Sequence, residues 1–295
     1  MLLALSLAAC VGYRTPLLDE PGVEEARRDA AVGARDAGRD LGRPDQPPLS
    51  DCAPGTPYVL VLGADNWLYR FDAATLALTA LAEVACGGDL NSMTVSPIGP
   101  AYISSQDGDL CRVDMHTFTA SPTSFDPREV GEDAFGMALL PDTTPAGQTL
   151  FIASYDVLYQ NQLSRIDLGT YKLTAIGPIL PIVGWAELTA GPNGELYGFA
   201  VDTPTSLLLT IDPKTGSAID VATVPAGYNL AAAFALVYWQ DAFYLFIGPG
   251  GVLAVPGLGQ SEKAEVFRYR KGDAQVQRLG TLPVAPIGAG VAVCQ

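Results

Sequence analysis

From Tyr58 onward the apolar positions fall in short runs broken by Gly, Pro, Asp and Asn, and one pattern recurs five times. It reads Leu68-Tyr-Arg-Phe-Asp72, Leu110-Cys-Arg-Val-Asp114, Leu163-Ser-Arg-Ile-Asp167, Leu208-Leu-Thr-Ile-Asp212 and Val266-Phe-Arg-Tyr-Arg270, with final residues spaced by 42, 53, 45 and 58. Each copy meets a turn-like stretch such as Pro213-Lys-Thr-Gly216 or Lys271-Gly-Asp273, then a second strand-like run, for example 170–176 or 274–282. Alternation, turn and alternation describe a β-hairpin. Upstream of each hairpin lies another apolar run: Met93-Thr-Val-Ser-Pro97, Met137-Ala-Leu-Leu-Pro141 and Leu188-Thr-Ala-Gly-Pro192, with looser copies at Phe234 to Tyr238 and Gly290 to Val293. A third run sits between the two, at 58–62, 101–103, 150–153, 196–199 and 243–247. Four short strands per unit, repeated at this period, predict a β-propeller.

The termini of the repeat region carry complementary fragments. The first unit has strands at 58–62, 67–71 and 75–84 but lacks an innermost strand, whereas the chain ends in an innermost-type strand at 287–293. Together they complete one blade, so the expected fold is all-β: a five-bladed propeller closed by pairing its first and last strands, leaving no open end to recruit another chain. A sixth blade would have to hide in 248–263, whose Gly-Pro-Gly-Gly start reads as an insertion.

The first ten residues, MLLALSLAAC, contain no charge, and Leu7-Ala8-Ala9-Cys10 is similar to the bacterial lipobox, which ends in a cysteine to be lipidated. A secretory signal carries a basic n-region and no Lys or Arg precedes Cys10, so the true start is expected upstream of Met1. A membrane span needs about 20 apolar residues, and Arg14 interrupts sooner. Residues 11–50 hold eight acidic and six basic side chains, the run Pro44-Asp-Gln-Pro-Pro48 and one aromatic, Tyr13. Such a segment buries too little apolar surface to offset its ordering entropy. The expected organisation is therefore a signal-like segment at 1–10, a disordered tether at 11–51 and the propeller at 52–295.

Charge then narrows the partners. The 295 residues carry 32 acidic and 17 basic side chains, a net charge of -15, which repels phosphate backbones and anionic lipid. Nucleic acid is excluded as a partner, and membrane contact is expected through the lipid alone. Setting Cys10 aside, Cys52, Cys86, Cys111 and Cys294 make an even set, as in an exported protein. Ring closure brings Cys52 to Cys294 and leaves Cys86 to pair with Cys111; closing so long a loop is worth roughly 5 kcal/mol in the chain-entropy account.

Candidate chemistry is sparse. The single histidine, His116, falls in a hairpin turn, and no G-x-S-x-G, Walker or H-E-x-x-H pattern occurs. No catalytic residue, metal ligand or cofactor is assigned. Gln106-Asp-Gly-Asp109 lacks the spacing of a calcium loop, and Trp67 and Trp239 are candidates to stack on sugars or to pack between blades. Glu187, in Trp185-Ala-Glu-Leu-Thr, is the acidic side chain inside an innermost strand, where the other copies read Ser92, Gly136, Ala233 and Gly290. Glu187 with Trp185 is the candidate ligand pocket at the mouth of the channel; the competing role is structural, with Glu187 paired to Arg70, Arg112, Arg165 or Arg268. The repeated Asp residues are expected to accept backbone N–H bonds in their turns.

The stretch Asp51-Cys-Ala-Pro-Gly-Thr-Pro-Tyr58 leading into Leu68-Tyr-Arg-Phe-Asp72, the segment Phe135-Gly-Met137, the run Ala186-Glu-Leu-Thr through Gly194-Glu-Leu-Tyr-Gly-Phe199, and the ending Gly288-Ala-Gly-Val-Ala-Val-Cys294 resemble uncharacterised exported propeller proteins of myxobacteria and similar Gram-negative bacteria. The resemblance spans nearly all of 51–295 and implies the propeller fold but no activity. Lipoprotein sorting in such bacteria implies the outer membrane, since Val11 follows Cys10 where an aspartate would signal inner-membrane retention. The sequence thus points to a monomeric, lipid-anchored envelope module that binds an unknown protein or glycan, on the periplasmic or the outer surface. A hydrolase or lyase with a carboxylate-held metal in the channel is the alternative.

Overall fold

The structure is a computed structural model describing residues 55–97, 99–131, 133–144, 146–155, 161–180, 185–201, 206–224, 231–249 and 263–293. Its strands form five four-stranded antiparallel sheets. The first blade combines β1 (Pro57–Gly63), β2 (Trp67–Asp72) and β3 (Ala77–Glu83) with the last strand, β20 (Pro286–Val293), in the order β20-β1-β2-β3. The second contains β4 (Leu90–Val95), β5 (Ala101–Ser105), β6 (Leu110–Val113) and β7 (Ala120–Pro122); the third, β8 (Gly136–Pro141), β9 (Gln148–Tyr155), β10 (Asn161–Ile166) and β11 (Leu173–Pro178). The fourth contains β12 (Trp185–Ala190), β13 (Leu196–Val201), β14 (Ser206–Ile211) and β15 (Ala218–Val224); the fifth, β16 (Ala231–Trp239), β17 (Ala242–Pro249), β18 (Ala264–Tyr269) and β19 (Gln277–Leu282).

Ring closure is as the termini predict. β1 pairs antiparallel with β20, Tyr58 opposite Ala292 and Leu60 opposite Gly290. The innermost strands β4, β8, β12, β16 and β20 each touch the next around a closed circuit. Close approach at the axis demands small residues there. A Cβ on Gly288 would collide with the backbone nitrogen of Met93 and lie 2.7 Å from its Cβ, and one on Gly136 would collide with the Ala186 carbonyl and lie 2.8 Å from the Cα of Glu187.

Burial follows from this geometry. A blade's inner strands have both faces covered by neighbouring blades, so β1 and β5 are buried nearly end to end, whereas the outermost β3 is only partly covered. The period of two then divides each strand between two seams. Tyr58, Leu60 and Leu62 pack with Met93, Val95 and Ile103 of the second blade, while Val59 and Val61 pack with Ala235, Val237 and Phe246 of the fifth. Five such clusters, one per seam, make up the described core.

The hairpin turns repeat a local solution. Asp72, Asp114, Asp167 and Asp212 each accept backbone N–H groups from the turn, at Ala74, His116, Gly169 and Lys214 respectively. The fifth turn residue donates its own N–H back to the Asp carbonyl at 2.7 to 2.9 Å, from Leu76, Phe118, Tyr171 and Gly216. Each of these sits at positive φ, between 55° and 81°, though only one is glycine. Leu76, Phe118 and Tyr171 accept the strain because their side chains pack against the seams. The strand expected at 170–176 accordingly begins only at Leu173, since Thr170 and Tyr171 belong to the turn.

Cys86 and Cys111 form a disulfide, with Cα atoms 5.8 Å apart. It ties the segment entering β4 to the third strand of the same blade. The other cysteines, Cys10, Cys52 and Cys294, lie outside the described residues. Among the described residues no helix is long and apolar enough to cross a membrane. The loop closed by Cys86 and Cys111 spans 25 residues, for which the chain-entropy account gives about 3.5 kcal/mol. Replacing both cysteines with serine should lower the unfolding free energy by about that amount in denaturant titration, with a steeper slope against denaturant because the unlinked unfolded chain is less compact.

Candidate functional site

Glu187 sits on β12 opposite Phe199, and tracing the same ladder position through the other blades gives Ser92, Gly136, Ala235 and Gly288. Two of these differ by two residues from the sequence alignment, which gave Ala233 and Gly290. The longer innermost strands β16 and β20 shift the count, but a shift of two keeps the same face. One level of the innermost ring therefore carries Gly, Ser, Gly, Glu and Ala.

Only 3% of Glu187 is exposed. Its Oε1 accepts a 2.6 Å hydrogen bond from Ser92 Oγ and a long 3.5 Å contact from the Met137 amide. The carboxyl group of the fourth blade thus joins the second and third. The bare backbone at Gly136 lets β8 and β12 come together beneath this bridge. The expected structural partner, one of the repeated arginines, is not the one it has. Arg70 lies over the Tyr58 ring, Arg112 faces Tyr102, and Arg268 donates to Gln277. These side chains occupy the third strands of their blades, remote from the innermost ring.

Burial favours the protonated form of Glu187. Loss of hydration pushes its pKa well above the ordinary 4.5, outweighing the opposing hydrogen bonds from Ser92, Met137 and Leu188. The buried carboxyl is thereby biased toward its neutral, hydrogen-bonding form and away from the charged form that would attract a cation. Trp185, two residues earlier on the strand, is 43% exposed. The predicted pair is therefore split, with the indole at the surface and the carboxyl sealed beneath it.

Neighbouring innermost side chains repeat this bridging with hydroxyls. Thr94 Oγ1 accepts from the Leu139 amide at 3.2 Å, and Thr189 Oγ1 from the Tyr238 amide at 3.4 Å. Asn91 Nδ2 and Ser104 Oγ both donate to the Phe135 carbonyl. Buried polar groups at the axis are thereby satisfied across the seams. The sequence offered no way to see this, because the partners Ser92 and Glu187, Thr94 and Leu139, and Thr189 and Tyr238 belong to different repeats and meet only in the closed ring.

The remaining candidates take framework positions. His116 is exposed, and its backbone N–H donates to Asp114 Oδ1 at 2.9 Å. Trp67 and Trp239 are half-buried, Trp239 against the seam between the fifth and first blades. Among the described residues no group of three or more His, Cys, Asp and Glu is placed to hold a metal ion. A surface groove of about 480 Å³ runs between Val221–Thr223 of the fourth blade and Tyr269 to Val276 of the fifth. It does not include Glu187.

No protein-family model matches the chain, and no curated protein matches it. Among solved structures it is similar to a chain of the nidogen/laminin complex, at 12% identity and a TM-score of 0.50, covering 81% of this chain and 100% of that one. TolB from Acinetobacter baumannii gives 12% identity and a TM-score of 0.44 over 76% and 52% of the two chains. The extracellular domain of a one-component system from B. thetaiotaomicron gives 13% and 0.40 over 75% and 28%. The first of these likenesses speaks for the fold alone, and the fold is a five-bladed β-propeller.

The raised pKa of Glu187 makes the pH dependence of stability specific. The folded protein holds a proton that the unfolded chain releases near pH 4.5, so stability falls as pH rises from there toward the folded pKa and is lowest above it. Glu187→Gln keeps a neutral acceptor and removes the titration. Denaturation midpoints at pH 5, 7 and 9 should decline in the native protein and stay flatter in Glu187→Gln, while Glu187→Ala should be destabilised at all three.

Proposed function

We propose that this chain is an exported, lipid-anchored β-propeller that binds a protein or glycan ligand in the cell envelope rather than transforming a substrate. The observation that carries this reading is the make-up of the innermost ring, where one level offers Gly, Ser, Gly, Glu and Ala, and its one carboxyl is buried and tied to Ser92. Acid–base or metal-assisted chemistry needs several charged or ligating groups converging on one point, and small residues around a sealed acid serve a rigid scaffold better. Binding then falls to the rim, where Trp185 is the exposed aromatic of the fourth innermost strand.

The Cys86–Cys111 disulfide supports export, because such bonds persist in oxidising compartments. In this reading Cys10 carries the lipid, 11–51 is the tether, Cys52 and Cys294 lock the ring, and the outer membrane holds the monomer by its lipid alone. Two measurements test it. The mass of the native protein should exceed that of Cys10→Ala by its acyl chains, and a difference equal to the substitution alone removes the anchor. A pull-down of the lipidated protein from native envelopes, analysed for proteins and glycans, should enrich a species that Trp185→Ala fails to retain; background alone sinks the binding reading.

A further inference from the structure

The five repeats are not equivalent at the seam between the fourth and fifth blades. Four hairpins end in Asp, whereas the fifth has Arg270 followed by Lys271. Four third strands carry Arg, at positions 70, 112, 165 and 268, facing Leu60, Tyr102, Phe151 and Tyr244 across the ladder, but in the fourth blade Thr210 faces Tyr197. These two departures meet. Lys271 reaches from its turn to place Nζ 4.9 Å from the centre of the Tyr197 ring.

Other polar groups converge there from two more loops. The Glu195 carboxylate, held by the Asn193 backbone N–H at 2.9 Å, lies within electrostatic reach of the Lys271 ammonium. Asp241 Oδ1 accepts a 3.3 Å hydrogen bond from the Tyr238 hydroxyl, and the Tyr238 ring stacks beside Tyr197 at 6.4 Å. Asp241 occupies the two-residue turn between β16 and β17, where Gln240 and Asp241 have φ of 47° and 60°. Such a turn favours glycine or asparagine, so keeping Asp there costs backbone strain in return for a placed carboxylate.

We infer that this seam is a saccharide-binding site formed by Lys271, Glu195, Asp241 and Tyr238. The ligand class follows from the mixture of groups. An anion meets two carboxylates on a molecule of net charge -15, and a cation meets the Lys271 ammonium. An uncharged ligand carrying hydroxyls on adjacent carbons supplies donors to both carboxylates and acceptors to the ammonium, and its C–H face suits the half-buried Tyr238 ring.

This site rests on the binding-module reading, and its test separates the two. Neutral trisaccharides (maltotriose, cellotriose and chitotriose) are titrated into the full chain and followed by NMR shifts and calorimetry. At least one should bind and perturb residues 195, 238, 241 and 271. Lys271→Ala should weaken that affinity by about tenfold, the loss of one charged hydrogen bond. Asp241→Gly should weaken it similarly while raising the thermal midpoint, because glycine relieves the positive φ; a purely structural Asp241 would not move the two readouts in opposite directions. No binding by any of the three sugars, or binding indifferent to both variants, overturns the site. A protein partner captured in the pull-down with no saccharide binding overturns this site while leaving the module reading standing.

Discussion

The hydrogen-bonded ladder between β1 and β20 is the contact on which every other packing relation depends. It joins residues from opposite ends of the folded region, Pro57 to Val293 and Leu62 to Gly288, at a loop-closure cost on the order of 5 kcal/mol. Without it the first blade has three strands, and the seams that Val59, Val61, Tyr58 and Leu60 build on either side lose an innermost wall. The glycines of β20 follow from the same constraint, since the strand closing the ring must enter between neighbours already in place. Gly288 lies where even a methyl group would strike Met93. A cystine between Cys52 and Cys294, as proposed, would restrain the same ends in the unfolded chain.

Closure also sets the polarity of the axis. Innermost strands run side by side without forming ladders to one another, so their contacts are made by side chains. Thr94, Thr189 and Glu187 accept amide hydrogens from the adjoining innermost strands. Hydroxyls do this without a charge to bury, whereas burial of Glu187 disfavours its charged form and raises its pKa. A carboxyl reaches farther than a hydroxyl, which is why it can pass Gly136 and meet Ser92 two blades away.

Much of the architecture was legible because the repeat states it several times over. The five hairpin patterns gave the blade count, the unmatched fragments at 58–84 and 287–293 gave the closure, and Cys86 and Cys111 fell to the same blade. What stayed hidden depends on contacts between repeats. Leu76, Phe118 and Tyr171 gave no sign of positive φ, since a backbone that usually wants glycine is there held by seam packing. Glu187 was visible as an odd residue in an innermost strand, but its partner was not, because Ser92 lies 95 positions away in sequence and a repeat alignment treats the two as equivalents rather than neighbours.

The same reasoning explains why departures from a repeat are more informative than the repeat itself. Identical wedges can close a ring, so a position that only serves closure has no cause to differ between blades. The replacement of Asp by Arg270, the absence of an Arg opposite Tyr197 and the strained Asp241 all fall at one seam. The first two compensate electrostatically, since Lys271 supplies the cation that Thr210 does not. Asp241 is different: its carboxylate repairs nothing in the ladder, and a glycine would form the β16–β17 turn with less strain. A costly residue that the framework does not require is where selection for something outside the fold is most readily read.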